Sequence, residues 1–75
     1  MADVTLDLRG LQCPLPVLRA KKALRALPPG SALEVFADDP LSPVDFKAFC
    51  EASGDKLAEN VESDGVFRFL IRRAG

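Results

Sequence analysis

Val4-Thr5-Leu6-Asp7-Leu8-Arg9-Gly10-Leu11-Gln12-Cys13-Pro14-Leu15-Pro16-Val17 is the stretch that decides the fold, because the hydrophobic period changes within and just beyond it. Val4, Leu6 and Leu8 alternate with Thr5 and Asp7, the pattern of a strand with one buried face. Arg9 to Gln12 turns the chain. From Val17 onward Val17, Ala20, Ala23, Leu24 and Leu27 recur on one helical face, and Pro28-Pro29-Gly30 stops the run. The reading is a strand over Val4 to Leu8 and a helix over Val17 to Leu27. Cys13 falls at or next to the N-cap, with Pro14 at N1 and Pro16 at N3, where a missing N–H leaves no intrahelical bond unmade.

The rest of the chain extends the same alternation. Ser31 to Ala37 reads as a second strand, with Leu33, Val35 and Ala37 inward and Glu34 and Phe36 outward. Asp38-Asp39-Pro40-Leu41 is a loop. Ser42-Pro43-Val44-Asp45 starts a helix, with Ser42 as N-cap, Pro43 at N1 and an acid at N3; Gly54 ends it. Lys56 to Glu62 reads as a third strand with Leu57 and Val61 inward. Ser63-Asp64-Gly65 carries the Asp-Gly pair of a tight hairpin, and Val66 to Arg72 forms the last strand, with Phe67, Phe69 and Ile71 on one face. Phe36 and Leu70 meet on the opposite face as a small self-association patch.

The order is therefore β-α-β-α-β-β. A chain of 75 residues cannot fill three layers, so we expect one domain over residues 1–75: an α/β (α+β) two-layer sandwich, two helices packed on one face of a four-stranded mixed sheet. The expected core is Val4, Leu6, Leu8, Val17, Leu24, Leu27, Leu33, Val35, Phe46, Phe49, Leu57, Phe67, Phe69 and Ile71.

Composition removes several classes of function. The chain has no histidine, so Cys13 has no partner for a Cys-His hydrolytic pair, and its two cysteines are too few and too widely spaced for a zinc site. Asp38, Asp39 and Asp45 read as loop and cap residues, not metal ligands, and no cofactor is expected. No apolar run reaches the length of a bilayer span and Met1-Ala2-Asp3 is no basic leader, so the expectation is a cytoplasmic monomer with no membrane contact. A framework of disulfides is not expected from Cys13 and Cys50 alone, and Cys50, on the Phe46 and Phe49 face of its helix, reads as a core residue.

Charge is uneven although its net value is −1: residues 8–33 hold Arg9, Arg19, Lys21, Lys22 and Arg25 and no acid, whereas residues 34–64 hold nine acids against Lys47 and Lys56. The basic block surrounds Cys13 in sequence. Leu15 and Leu18 fall outside the buried stripe, so Leu15, Leu18, Arg19, Lys22 and Arg25 are the expected docking surface for an acidic partner protein. Direct RNA binding is the poorer fit, because no aromatic platform interleaves with the basic block. A helix start favours a thiolate through its free N–H groups and dipole. With Pro14 and Pro16 lacking N–H groups, Leu15 and Val17 remain as donors, and moderate thiolate stabilisation is expected.

Leu6-Asp7-Leu8-Arg9-Gly10-Leu11, the Cys13-Pro14-Leu15-Pro16 motif, Asp39-Pro40, Asp45-Phe46 to Phe49-Cys50, and Phe67 to Arg72 together resemble the TusA/SirA-like sulfur carrier family. The resemblance covers nearly the whole chain. It departs at Gly54-Asp55, where many relatives have Gly-His. The resemblance implies that Cys13 accepts a persulfide sulfur from a cysteine desulfurase or rhodanese-like donor and relays it to an acceptor protein, in tRNA thiolation, sulfur oxidation or molybdenum-cofactor sulfuration. It implies a carrier more than a stand-alone enzyme. A thiol-based redox regulator and an RNA-binding module remain the alternatives at this level.

Overall fold

The computed structural model describes residues 2–74, and its elements run β1 (Val4–Asp7), α1 (Leu15–Arg25), β2 (Ala32–Ala37), α2 (Ser42–Ser53), β3 (Lys56–Ser63) and β4 (Val66–Arg72). The sheet order is β1-β2-β4-β3, with β1 and β2 parallel and the other two pairs antiparallel. This is the expected mixed sheet. Both helices pack on one face of it and touch each other, α1 over β2 and α2 over β3 and β4.

The core follows from the alternation. Val4 and Leu6 lie opposite Leu33 and Val35, and these lie opposite Ile71 and Phe69 across the next ladder, so one sheet face is a continuous apolar surface. Leu24 of α1 and Phe46 of α2 are wholly buried against it, and the Phe46 ring stacks on Phe69 with centroids 4.5 Å apart. Each such fully buried large side chain contributes about 1.5–3 kcal/mol relative to exposure. Every residue of the expected core belongs to this cluster or packs on it.

Three local expectations fail for identifiable reasons. Helix α1 begins at Leu15, with Pro14 as its N-cap and Pro16 in its first turn, one residue later than the proline positions suggested, and it stops at Arg25, two residues before the end of the apolar stripe; Ala26 caps its C-terminus. Ser42 is the first residue of α2, not its cap; Leu41 takes that place, and the Ser42 hydroxyl is buried, with no hydrogen-bond partner among the described residues. Val61 faces outward because the β3–β4 register shifts between Leu57 and Glu59. One extra residue in a bulged strand inverts every later side chain, which sets Val61 opposite Arg68, half exposed at 51%.

The helix-free face is polar by construction. Thr5 Oγ1 donates to Glu34 at 2.9 Å, and Arg68 bonds Glu34 on one side and Glu59 on the other, the latter at 2.8 Å. The chain of contacts thus crosses all four strands. Leu70 lies opposite both Glu34 and Glu59 and is buried, so it is withdrawn from the patch with Phe36 that the sequence suggested.

Candidate functional site

Parallel pairing of β1 and β2 decides where the site lies. Each strand is followed by a helix, so the loop carrying Cys13 and the loop carrying Asp38 and Asp39 leave the sheet at the same end. The second loop clamps the first. Asp38 Oδ1 accepts the Gly10 N–H at 2.9 Å, and Asp39 Oδ2 accepts the Cys13 N–H at 3.0 Å. The other Asp39 oxygen accepts the Leu41 N–H at 2.8 Å, which closes the turn into α2. These N–H groups hold the Asp39 carboxyl below its ordinary value, Cys13 contributing most.

Cys13 itself is half-buried and unpaired, joined to Pro14 by a cis peptide bond. It lines an apolar-walled groove of about 380 Å³ between the two helices with Pro14, Val17, Leu18 and Lys21 of the first and Asp45, Ala48 and Phe49 of the second. Leu18 is 54% exposed at its rim.

The thiol is not in the environment its place in the sequence suggested. The Asp45 carboxylate across the groove, followed by burial and by the charge of Asp39, pushes the Cys13 thiol above its ordinary range. The Leu15 N–H does not serve the sulfur, because it donates to the Gln12 carbonyl at 2.9 Å. The direction is opposite to the expected thiolate stabilisation. Asp45 has a second duty as the acid in the first turn of α2, where it complements the helix dipole. Cys50 is buried, and burial first and Asp55 second push its thiol up to about 11.

The basic block divides around α1. Lys21 joins Leu18 beside Cys13, whereas Arg19 and Lys22 lie over a separate groove with Leu6, Leu8, Ala23 and Ala26, on the side of β1. Leu15 is exposed at 44%. Arg25 reaches away, to 3.6 Å from the buried carboxylate of Asp55. Of the five proposed docking residues, only Leu18 thus lines the cysteine groove. Sequence reasoning placed Lys21 in the basic block around Cys13 but missed Asp45 and Asp39 as neighbours of the sulfur; the Ser-Pro-Val-Asp helix start marked Asp45, but only as a capping acid.

The fold that presents this thiol is that of a SirA-like domain, by likeness to a solved one. The crystal structure of a SirA-like protein from Desulfitobacterium hafniense matches it with a TM-score of 0.84 and 35% sequence identity, covering 96% of this chain and 99% of that one. Residues 4–73 match the family described as Sulfurtransferase TusA. Over 72 residues the chain is 50% identical to the sulfur carrier protein TusA of Allochromatium vinosum, covering 96% of this chain and 95% of the relative. It is 49% identical to a putative sulfur carrier protein of Neisseria meningitidis serogroup A, covering 96% and 97%. The chain belongs to the TusA family.

Proposed function

We propose that the protein is a sulfur carrier, with Cys13 as the residue that bears the sulfur and Pro14 and Pro16 as the frame that presents it. The observation that carries this reading is the contrast between the two thiols: Cys13 opens into a groove between the helices, whereas Cys50 is sealed in the core. Family membership supplies the chemistry. Cys13 attacks the outer sulfur of a donor persulfide; a new S–S bond forms on Cys13, the donor S–S bond breaks, and its electron pair leaves on the donor's inner sulfur, which takes up the Cys13 proton. An acceptor thiol then repeats the step on Cys13, and no oxidant or reductant is consumed.

The donor class is a cysteine desulfurase or a rhodanese-like protein and the acceptor is a second protein thiol, in tRNA thiolation, sulfur oxidation or molybdenum-cofactor sulfuration within the cytoplasm. Leu15 and Leu18 offer exposed apolar contact near Cys13, with Lys21 beside Leu18 for an acidic partner surface. No helix among the described residues is long and apolar enough to cross a membrane. Incubation with a cysteine desulfurase and L-cysteine, followed by intact mass measurement, is expected to show one added sulfur atom. The reading fails if the parent protein gains none with either donor class, or if Cys13→Ser gains as much.

A further inference from the structure

We propose that the trough between α1 and the free edge of β1 is a second docking site, one that takes an extended acidic segment of a partner protein as an added strand. β1 ends the sheet and pairs with β2 alone. The Leu8 N–H donates to the Phe36 carbonyl at 2.7 Å, and in a parallel ladder the bonds to one neighbour come from alternate residues. The backbone N–H and C=O groups of Thr5 and Asp7 therefore point to the open side. An edge of this kind carries donors and acceptors that another strand can meet.

The helices leave this end of the sheet thinly covered. α1 lies over β2, and on the side of β1 it carries Ala23 and Ala26, whose side chains are too short to close the gap. Leu6 consequently stays half-buried, and the trough, of about 320 Å³, has a floor of Leu6, Leu8, Ala23 and Ala26. Its charged members are Arg19 and Lys22, both exposed, and neither forms an ion pair among the described residues. No acid lines it. Asp7 belongs to the opposite face of β1, where Arg9 matches it at 2.8 Å. As i, i+3 neighbours on a helix, Arg19 and Lys22 stand about 5–6 Å apart, close to the roughly 7 Å between alternate side chains of a strand. Two acids at alternate positions thus meet the two cations, and an apolar residue next in the same row covers the floor. A single-stranded RNA would satisfy the cations but neither the strand edge nor the apolar floor. α1 separates this trough from the groove of Cys13, which takes Leu18 and Lys21, so a partner held at β1 leaves the thiol open. Occupancy of the edge needs no sulfur on Cys13.

The test titrates ¹⁵N-labelled protein with a capped peptide of about seven residues, in which valine, glutamate, glutamate and valine alternate with threonine. Amide shifts are expected along β1 and the second half of α1, with the residues around Cys13 unmoved. Bound peptide should slow hydrogen exchange at the Thr5 and Asp7 amides about tenfold or more. Replacing Arg19 and Lys22 together by serine is expected to weaken binding about fivefold or more, and glutamine for glutamate in the peptide to do the same. Thr5→Pro removes an outward N–H at a sheet edge, where proline is tolerated, and should abolish strand addition. Ala26→Met fills the trough from an exposed position and should weaken binding as well, so that loss of fold in Thr5→Pro, seen by circular dichroism, leaves the comparison intact. The proposal is overturned if the peptide fails to bind at about millimolar concentration, if its shifts centre on the Cys13 groove, or if the double serine variant binds within about twofold of the parent. Displacement of the peptide by a single-stranded uridine oligonucleotide at lower concentration would give the trough to nucleic acid. A dimer of the parent that the peptide dissolves would give it to a second copy of the chain. Either result also overturns the proposal.

Discussion

Replacing Asp55 by alanine removes a carboxylate that joins the ends of three elements. Its side chain is 1% exposed and follows the αL cap of α2 at Gly54. It accepts the Ser53 hydroxyl at 2.6 Å and the Ala74 N–H just beyond β4 at 2.8 Å, and stands 3.6 Å from Arg25 of α1. Arg73 closes the same corner by donating to the Arg25 carbonyl at 3.4 Å and to that of Leu27. A hydrogen bond to a charged group contributes about 1.5–3 kcal/mol, and the partly exposed Arg25 pair adds at most about 1 kcal/mol. Allowing for water reaching the freed Ala74 N–H, we expect Asp55→Ala to lose about 2–4 kcal/mol. That is a large share of the roughly 4–11 kcal/mol available to a domain of this size.

The assay is urea unfolding at neutral pH, with a companion fall in Tm of about 10–25 °C. Burial raises the Asp55 carboxyl, but the Ala74 N–H, the Ser53 hydroxyl and the Arg25 and Arg73 guanidinium groups outweigh it and leave it below its ordinary value. Its contribution is therefore full above the unfolded carboxylate pKa and is lost as pH falls through the folded one. The gap between the parent and Asp55→Asn must accordingly narrow in acid. A loss below about 1 kcal/mol for the alanine variant, or a gap that persists unchanged in acid, would refute the reasoning.

Gly54→Ala adds a Cβ at φ 82, where no atom lies within 4 Å, so its cost is conformational alone. We expect about 1–2 kcal/mol by urea unfolding. Cys50→Ala removes a buried sulfur and is expected to cost about 1 kcal/mol while leaving sulfur loading at the parent level by mass. In the folded parent at neutral pH, Cys50 should escape alkylation, since its thiol is pushed up to about 11. Leu18→Asp puts an anion on a 54% exposed position at the groove rim. It should change stability by less than about 0.5 kcal/mol, slow desulfurase-dependent loading about tenfold and leave polysulfide loading unchanged.

Alternation and helical periodicity made the element order and the buried face legible, because each strand and helix here buries one side only. What they could not express is pairing between distant segments. Strict alternation places Val61 inward because it carries no sign of an extra residue, and the bulge appears only once β3 is set against β4. The loop that carries Cys13, taken alone, is a thiolate-favouring helix start. The carboxylates that reverse that assignment arrive from the far side of β2, through a parallel pairing that brings two helix starts together. The basic block looked continuous in sequence, but helical geometry sends Lys21 toward α2 and Arg19 and Lys22 toward β1. Asp55, notable in sequence only as a departure from a Gly-His pattern, proves to be the anchor for the ends of α1 and β4.

The central claim is that sulfur enters and leaves on Cys13. Protein loaded from ³⁵S-labelled L-cysteine by a desulfurase, freed of that enzyme and mixed with an acceptor protein bearing a free thiol, gives the most direct measurement. The label is expected to map to the Cys13 peptide before mixing, to leave it one for one as it appears on the acceptor, and to be absent from Cys50 throughout. Label held on Cys50, or a Cys13–Cys50 disulfide with the label released as sulfide, would contradict the account.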